Sequence, residues 1–337
     1  MTQTLSNFQL AFIALKYLSF KKIQNIIRIG FSYIISQKSL LLFNKIRPFF
    51  ISVEPADFCQ LECPECPVGA SKRKQGKTID FKTFTKTIDE LKSTLFHLIF
   101  YFQGEPLLNK KLPEMIAYAH QSGIFTSTST NGQLLNSATA KALVQSGLDK
   151  IIVSVDGTNQ KTYQKYRKGG QLELALEGIT QLNYWKKKLK SRTPFVEIQM
   201  VVFKTNEHQI AEMKILAKKL NVNRLVLKSA QLYNYENGHE LLTSIDKYAR
   251  YKMLPNGKYA LKNKLHNRCF RLWSGAVVTT KGDVLPCCFD KDTSHSFGNI
   301  IDTDFNSIIQ NSKANSFRIS ILTNRKQHEM CRNCTSK

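Results

Sequence analysis

Acidic residues are scarce in this chain. Against 49 Lys and Arg there are only 25 Asp and Glu, a formal charge of +24. Such an excess raises nucleic acid as a partner. No recognisable RNA- or DNA-binding motif gathers the charge, and a Lys-, Asn- and Ile-rich composition spreads it over solvated faces, so no specific nucleic-acid partner is expected. Long apolar runs are missing too. None approaches the roughly 18 residues of a membrane span, and Phe8 to Leu15 is broken by Lys16. The amino terminus lacks a charged n-region and a small-residue cleavage site, so it does not read as a secretory signal. A cytoplasmic location is expected, where thiols stay reduced. The eight cysteines then read as metal ligands rather than disulfides. The histidines lack a His-Glu-x-x-His spacing and read as ordinary hydrogen-bonding residues. A hydrophobic content of 42% suffices for a buried core, and 337 residues suggest about two domains.

What is present centres on Cys59-Gln60-Leu61-Glu62-Cys63-Pro64-Glu65-Cys66. Three thiols so close in sequence converge on one metal centre. A structural zinc site wants four protein ligands. A four-iron cluster held by three leaves one iron open to a reacting molecule. The apolar run Phe49 to Val53 precedes the stretch and reads as a strand. The cysteines therefore fall on the loop leaving it, where an α/β barrel keeps its chemistry.

Residues 1–46 read as two helical pieces with Lys21, Lys22, Arg28 and Lys38 among the apolar positions. Two placements fit. A basic amphipathic helix lies on an anionic membrane surface, a peripheral contact. A helix packed on the barrel keeps its lysines in water and snorkels their stems. From residue 47 the pattern alternates strand and helix. Strands are expected at 48–53, 98–102, 125–130, 151–155, 195–203 and 224–227. Helices are expected between them, one capped by Asp80 and others stopped by Gly123 and Gly147. Such alternation implies parallel strands and right-handed crossovers. Six units give an α/β fold, a (β/α)6 partial TIM barrel. The expected division is residues 1–46 as leading helices, 47–245 as the barrel and 246–337 as a small cysteine-rich domain.

The C-x3-C-x2-C loop after the first strand resembles the signature of the radical S-adenosylmethionine (radical SAM) superfamily, and other strand ends agree. Gln103-Gly104-Glu105-Pro106 resembles the family's Gly-Gly-Glu-Pro element, with Gln103 replacing a glycine. The resemblance implies that Gly104 and Glu105 receive the amino group of SAM. Asn131, in Thr130-Asn131-Gly132, is implied near the ribose. Ser154, in Ser154-Val155-Asp156-Gly157, and the downstream Arg167 are implied to hold the carboxylate, which suits a guanidinium fork. At the later strands Glu197, Gln199 and Lys228 either face the cavity or simply follow strand alternation.

Five cysteines remain. Cys269 and Cys287 follow a C-x12-G-x4-C pattern around a hairpin at 277–285, and Cys331-x2-Cys334 follows. Four thiolates suit zinc or an iron–sulfur cluster. The arrangement resembles the SPASM or twitch extension of radical SAM enzymes. It implies one auxiliary [4Fe–4S] cluster ligated by Cys269, Cys287, Cys331 and Cys334. Cys288 is spare, and exchanging Cys287 for Cys288 is the alternative.

The resemblance implies an enzyme. Cys59, Cys63 and Cys66 would hold a [4Fe–4S] cluster, and SAM would bind its fourth iron. Reductive cleavage would yield a 5′-deoxyadenosyl radical that removes a substrate hydrogen. A reductant such as flavodoxin or ferredoxin is an implied partner. The substrate expected is a peptide or protein side chain, oxidised or crosslinked. The alternative is a small carbohydrate, aminocyclitol or lipid-linked molecule. A zinc-stabilised nucleic-acid-binding protein is a third reading, but it leaves the three-ligand loop unexplained.

Overall fold

The computed structural model describes residues 3–42 and 46–335. Residues 1–2 and 43–45 of the expected leading segment, and the last two of the expected C-terminal domain, lie outside the described residues. In chain order the elements are α1 (Gln3–Leu15), α2 (Phe20–Ser39), β1 (Phe50–Val53), α3 (Pro67–Ala70), α4 (Phe81–Leu91), β2 (His97–Phe100), α5 (Leu112–Gln121), β3 (Phe125–Thr130), α6 (Ser137–Gln145), β4 (Lys150–Ser154), α7 (Gln160–Tyr166), α8 (Leu172–Lys188), β5 (Phe195–Val202), α9 (Ile210–Lys219), β6 (Arg224–Ser229), β7 (Tyr251–Met253), β8 (Tyr259–Leu261), α10 (Arg271–Ser274), β9 (Gly275–Val278), β10 (Asp283–Leu285), β11 (Gly298–Asn299), α11 (Phe305–Gln310), α12 (Ser312–Asn324) and α13 (Glu329–Arg332). All six expected strands are there, each of the first five followed by a helix. The short helices α3 and α7 were not expected.

The chain forms two compact units. One comprises Ala14–Asp57, Gly76–Ser127 and Leu265–Lys337. Its strands lie in the order β11–β10–β9–β1–β2. β1 pairs in parallel with β2 on one side and with β9 on the other, Ile51 standing opposite both Leu98 and Ala276. β9 and β10 form the expected antiparallel hairpin, and β11 extends it. Helix α4 starts at Asp80, whose carboxylate accepts from the Thr83 N–H at 2.9 Å, satisfying an otherwise orphaned donor. It buries Phe84, Ile88 and Leu91 with Leu98 and Phe100. Fully burying each such side chain contributes about 1.5–3 kcal/mol.

The other unit comprises Met1–Ile13, Phe58–Gln75 and Thr128–Lys264. Here β4, β5 and β6 are adjacent and parallel. β5 buries Phe195, Val196, Ile198, Met200 and Val202, the near-continuous apolar run of a strand covered on both faces. Glu197 interrupts that run and is also buried. Its carboxylate is held by Lys150 Nζ at 3.1 Å and by Arg224 Nε at 2.7 Å. These ion pairs explain Glu197 as a link between β4, β5 and β6.

Candidate active site and cysteine clusters

The Cys59–Cys66 loop is built by its backbone. Cys59 N–H donates to Arg73 O at 3.0 Å, and Glu62 N–H to Lys168 O at 3.0 Å. Pro67 opens α3 directly after Cys66, as a proline suits the first helical turn. Helix and loop touch at Gly69, where a Cβ would lie 2.6 Å from the Cys63 nitrogen. Only glycine permits that approach. Glu65 fixes the far side of the loop, accepting from Tyr233 N–H at 2.8 Å and pairing with His239 Nε2 at 3.2 Å.

Donors face the sulfurs. Leu61 N–H lies 3.4 Å and Asn131 Nδ2 3.5 Å from Cys59 Sγ. Arg167 Nη1 lies 3.9 Å from Cys63 Sγ. Burial pushes the Cys63 thiol up, and the Arg167 guanidinium pulls it back. A cation and N–H groups directed at sulfur suit thiolates, the form that binds iron.

Three strand-end residues occupy this same unit. Asn131 follows β3 and also takes a hydrogen bond from Gln60 Nε2 at 3.3 Å, so it touches the cysteine loop rather than standing apart from it. Ser154 ends β4 and is buried. Arg167 follows α7 and carries a pairing that sequence reading did not assign: its Nε donates to Asp156 Oδ2 at 2.6 Å. Asp156 also accepts from Val201 N–H at 2.7 Å, and Asn206 Nδ2 donates to its carbonyl at 3.0 Å. The aspartate of the Ser-x-Asp-Gly motif thus sets the arginine and locks β4 to the end of β5.

Gly104 and Glu105 belong to the other unit. Glu105 is buried and caps a single turn at Pro106–Leu108 by accepting from Leu107 N–H at 3.2 Å. Gln103, in the glycine position, donates from Nε2 to Lys291 O at 2.8 Å. Glu54, just after β1, was missed by sequence reading because a lone glutamate at a strand end carries no signal. It is 3% exposed. Its Oε2 accepts from Thr280 N–H at 3.3 Å, whereas Oε1 is buried without a hydrogen-bond partner. Burial raises its pKa to about 7, Asp57 adds to the rise, and the Thr280 and Gln103 N–H groups and Lys291 oppose it.

Cys269, Cys287, Cys331 and Cys334 line one small cavity with Leu272, Phe317, Ile321 and Met330. Arg325, 1% exposed, points Nη2 at Cys334 Sγ at 3.2 Å. Burial pushes Cys331 up to about 11, and Arg325 opposes it. A buried guanidinium against sulfur fits an anionic thiolate set. Cys288 does not line the cavity and packs instead with Phe102, Val277 and Leu285. Hydrogen bonding between the two neighbouring thiols raises Cys287 and lowers Cys288, aided at Cys288 by Arg271 and Lys291. That acidity favours Cys288, whereas the lining favours Cys287. Lining is the better criterion, since a bound metal deprotonates whichever thiol it ligates. Among the described residues no three Cys, His, Asp or Glu side chains are already grouped at metal-holding separation. Both sets are therefore defined by their surroundings, and those surroundings fit thiolate-held clusters.

The radical SAM superfamily matches residues 53–217, and the SPASM iron–sulfur cluster-binding domain matches residues 269–335. The Fe-coproporphyrin III synthase of Methanosarcina barkeri is 34% identical over 147 residues, 42% of this chain and 35% of that protein. The chain thus spans about a third of that relative's length. The PqqA peptide cyclase of Rhizobium meliloti is 26% identical over 317 residues, 86% of this chain and 80% of the cyclase. Among solved structures, Streptococcus suis SuiB bound to S-adenosylmethionine superposes with a TM-score of 0.63 at 15% identity, covering 86% of this chain and 71% of SuiB. That likeness bears out the mixed α/β fold with its parallel sheet. The chain belongs to the radical SAM superfamily, whose cofactors are S-adenosylmethionine and a [4Fe–4S] cluster, and its C-terminal region is an iron–sulfur cluster-binding domain of the SPASM type.

Proposed function

We propose that this chain is a radical SAM enzyme that oxidises or crosslinks a side chain of a peptide or protein. The observation that carries the reading is the likeness to PqqA peptide cyclase along most of both chains. When bound, the cluster and SAM supply a 5′-deoxyadenosyl radical able to take a hydrogen atom from an unactivated carbon. Cys59, Cys63 and Cys66 would hold the SAM-binding cluster. Gly104, Glu105, Asn131, Ser154 and Arg167 would bind SAM. Cys269, Cys287, Cys331 and Cys334 would hold the auxiliary cluster. Asp156 positions Arg167, and Asn131 steadies Cys59.

The partners in this reading are a cytoplasmic reductant, such as flavodoxin or ferredoxin, and the peptide. The excess of basic residues suits an acidic leader on that peptide. The test uses anaerobically purified, reduced full-length protein with SAM and the product of any short peptide gene beside its own. Release of 5′-deoxyadenosine and loss of two hydrogens from the peptide are expected. Oxidation of a small carbohydrate or aminocyclitol, with the peptide untouched, replaces this substrate by the alternative. Zinc without sulfide in the purified protein overturns the radical reading altogether.

A further inference from the structure

Helix α2 is built inside out. Its buried residues are Lys22, Asn25, Ile29, Ser32 and Ser36, four of them polar. Its exposed apolar residues are Phe20 (80%), Ile23 (44%), Ile27 (66%), Phe31 (62%) and Ile34 (56%). Spacings of three and four place these five on one stripe. Leu40 and Leu41, just past the helix, are exposed as well. The orientation is secured from the buried side. Lys22 Nζ donates to Gly123 O, Asn25 Nδ2 donates to Arg47 O at 2.8 Å, and Ser36 Oγ bonds Ser32 O and Leu41 O. Tyr33 meets Phe270 and Trp273 edge-on, at 5.2 and 5.3 Å between ring centroids. Rolling the helix to hide its apolar stripe would break the contacts of Lys22, Asn25 and Tyr33 with Gly123, Arg47, Phe270 and Trp273. The stripe is therefore held outward.

We propose that α2 docks this enzyme on an anionic lipid bilayer, with Phe20, Ile23, Ile27, Phe31 and Ile34 entering the headgroup–acyl boundary. Charge selects this occupant. Lys21, Arg28 and Lys38 of the same helix are exposed, and no Asp or Glu occurs before Glu54. A second copy docking through the same face would set cations against cations with no acid to answer them. Anionic headgroups neutralise those cations, and apolar side chains flanked by Lys and Arg are what an interfacial helix presents. No helix of the described residues is long and apolar enough to cross a membrane, so the helix lies on the bilayer. The inference stands on α2 alone and goes beyond the substrate reading above.

The test is co-sedimentation of the full-length, iron-loaded protein with phosphatidylcholine vesicles, with and without phosphatidylglycerol. Binding is expected only with phosphatidylglycerol and is expected to fall with added salt. The Ile27→Ser/Phe31→Ser variant leaves the charge unchanged and replaces exposed side chains. It is expected to bind at least tenfold more weakly while keeping its iron content, circular dichroism and SAM cleavage. The Lys21→Gln/Arg28→Gln/Lys38→Gln variant is expected to lose the preference for phosphatidylglycerol. Wild-type protein that stays in the supernatant overturns the proposal. So does a serine variant that sediments like wild type, since general basicity would then explain the binding. A lipid-free dimer that the serine variant dissolves assigns the face to self-association instead.

Discussion

Arg167 donates its Nε proton to Asp156 Oδ2 at 2.6 Å, and Asp156 has no exposed side-chain surface. The arginine is thus fixed before any ligand arrives, with Nη1 already facing Cys63. Removing the carboxylate leaves a mostly buried cation unpaired, a loss of about 3–5 kcal/mol. Asp156→Ala is expected to lower the urea midpoint accordingly and to slow SAM cleavage. Asp156→Asn keeps an oxygen for the Val201 N–H and should recover part of the stability but not the cleavage rate. An Asp156→Asn variant as stable and as active as wild type would show that charge is irrelevant at this position.

The contact between Gly69 and the Cys63 backbone makes a narrow demand. Gly69→Ala adds one methyl group where there is no room, and the neighbour in the way is main chain. The loop should shift and lose its iron, while the C-terminal cluster stays loaded. Iron analysis should then fall by about four atoms per chain, the content of one cubane. Full iron content in the variant would contradict this reading of the loop.

The C-terminal set separates two adjacent thiols. Cys287→Ala removes a cavity-lining sulfur and is expected to abolish the auxiliary cluster's electron paramagnetic resonance signal in the reduced protein. Cys288→Ala truncates a side chain packed on Phe102, Val277 and Leu285. It should cost stability, on the order of 1 kcal/mol, and leave the signal in place. The opposite pattern would make Cys288 the ligand.

Glu54 sets a pH dependence. Its folded pKa is about 7, above the ordinary 4.5. Between those values the folded chain keeps a proton that the unfolded chain has released. Stability from this group is therefore highest below about pH 4.5 and falls as the pH rises towards 7, by on the order of 3 kcal/mol in all. Glu54→Gln stays neutral throughout. The difference in urea midpoint between the variant and wild type should widen from pH 5 to pH 7.5. An unchanged difference would show that Glu54 titrates normally.

Much of this was legible in the sequence, for identifiable reasons. The strands from Phe125 to Thr130 and from Phe195 onward are apolar or β-branched runs bounded by turn residues, and such runs mark themselves. Asp80 announced its helix because a cap needs only a local partner. The cysteine spacings and strand-end motifs pointed to the family for the same reason, each being a short local pattern. What stayed hidden depends on neighbours distant in sequence. Asp156 has no role of its own within the Ser-x-Asp-Gly motif until Arg167 is seen beside it. Glu197 read equally as a cavity residue or as ordinary strand alternation until Lys150 and Arg224 closed on it. Helix α2 reads as an ordinary amphipathic helix, and periodicity does not say which stripe faces inward.

The pairing of β1 with β9 has a consequence for how the protein is made. Phe50 to Val53 leave the ribosome more than 200 residues ahead of Gly275 to Val278, and one edge of that strand waits for them. Until then its backbone donors are open to strands from other molecules. Trimming the chain before residue 275 would make that wait permanent, so the cluster-binding tail is a seam that finishes the sheet, and truncated versions should aggregate rather than survive as a smaller enzyme.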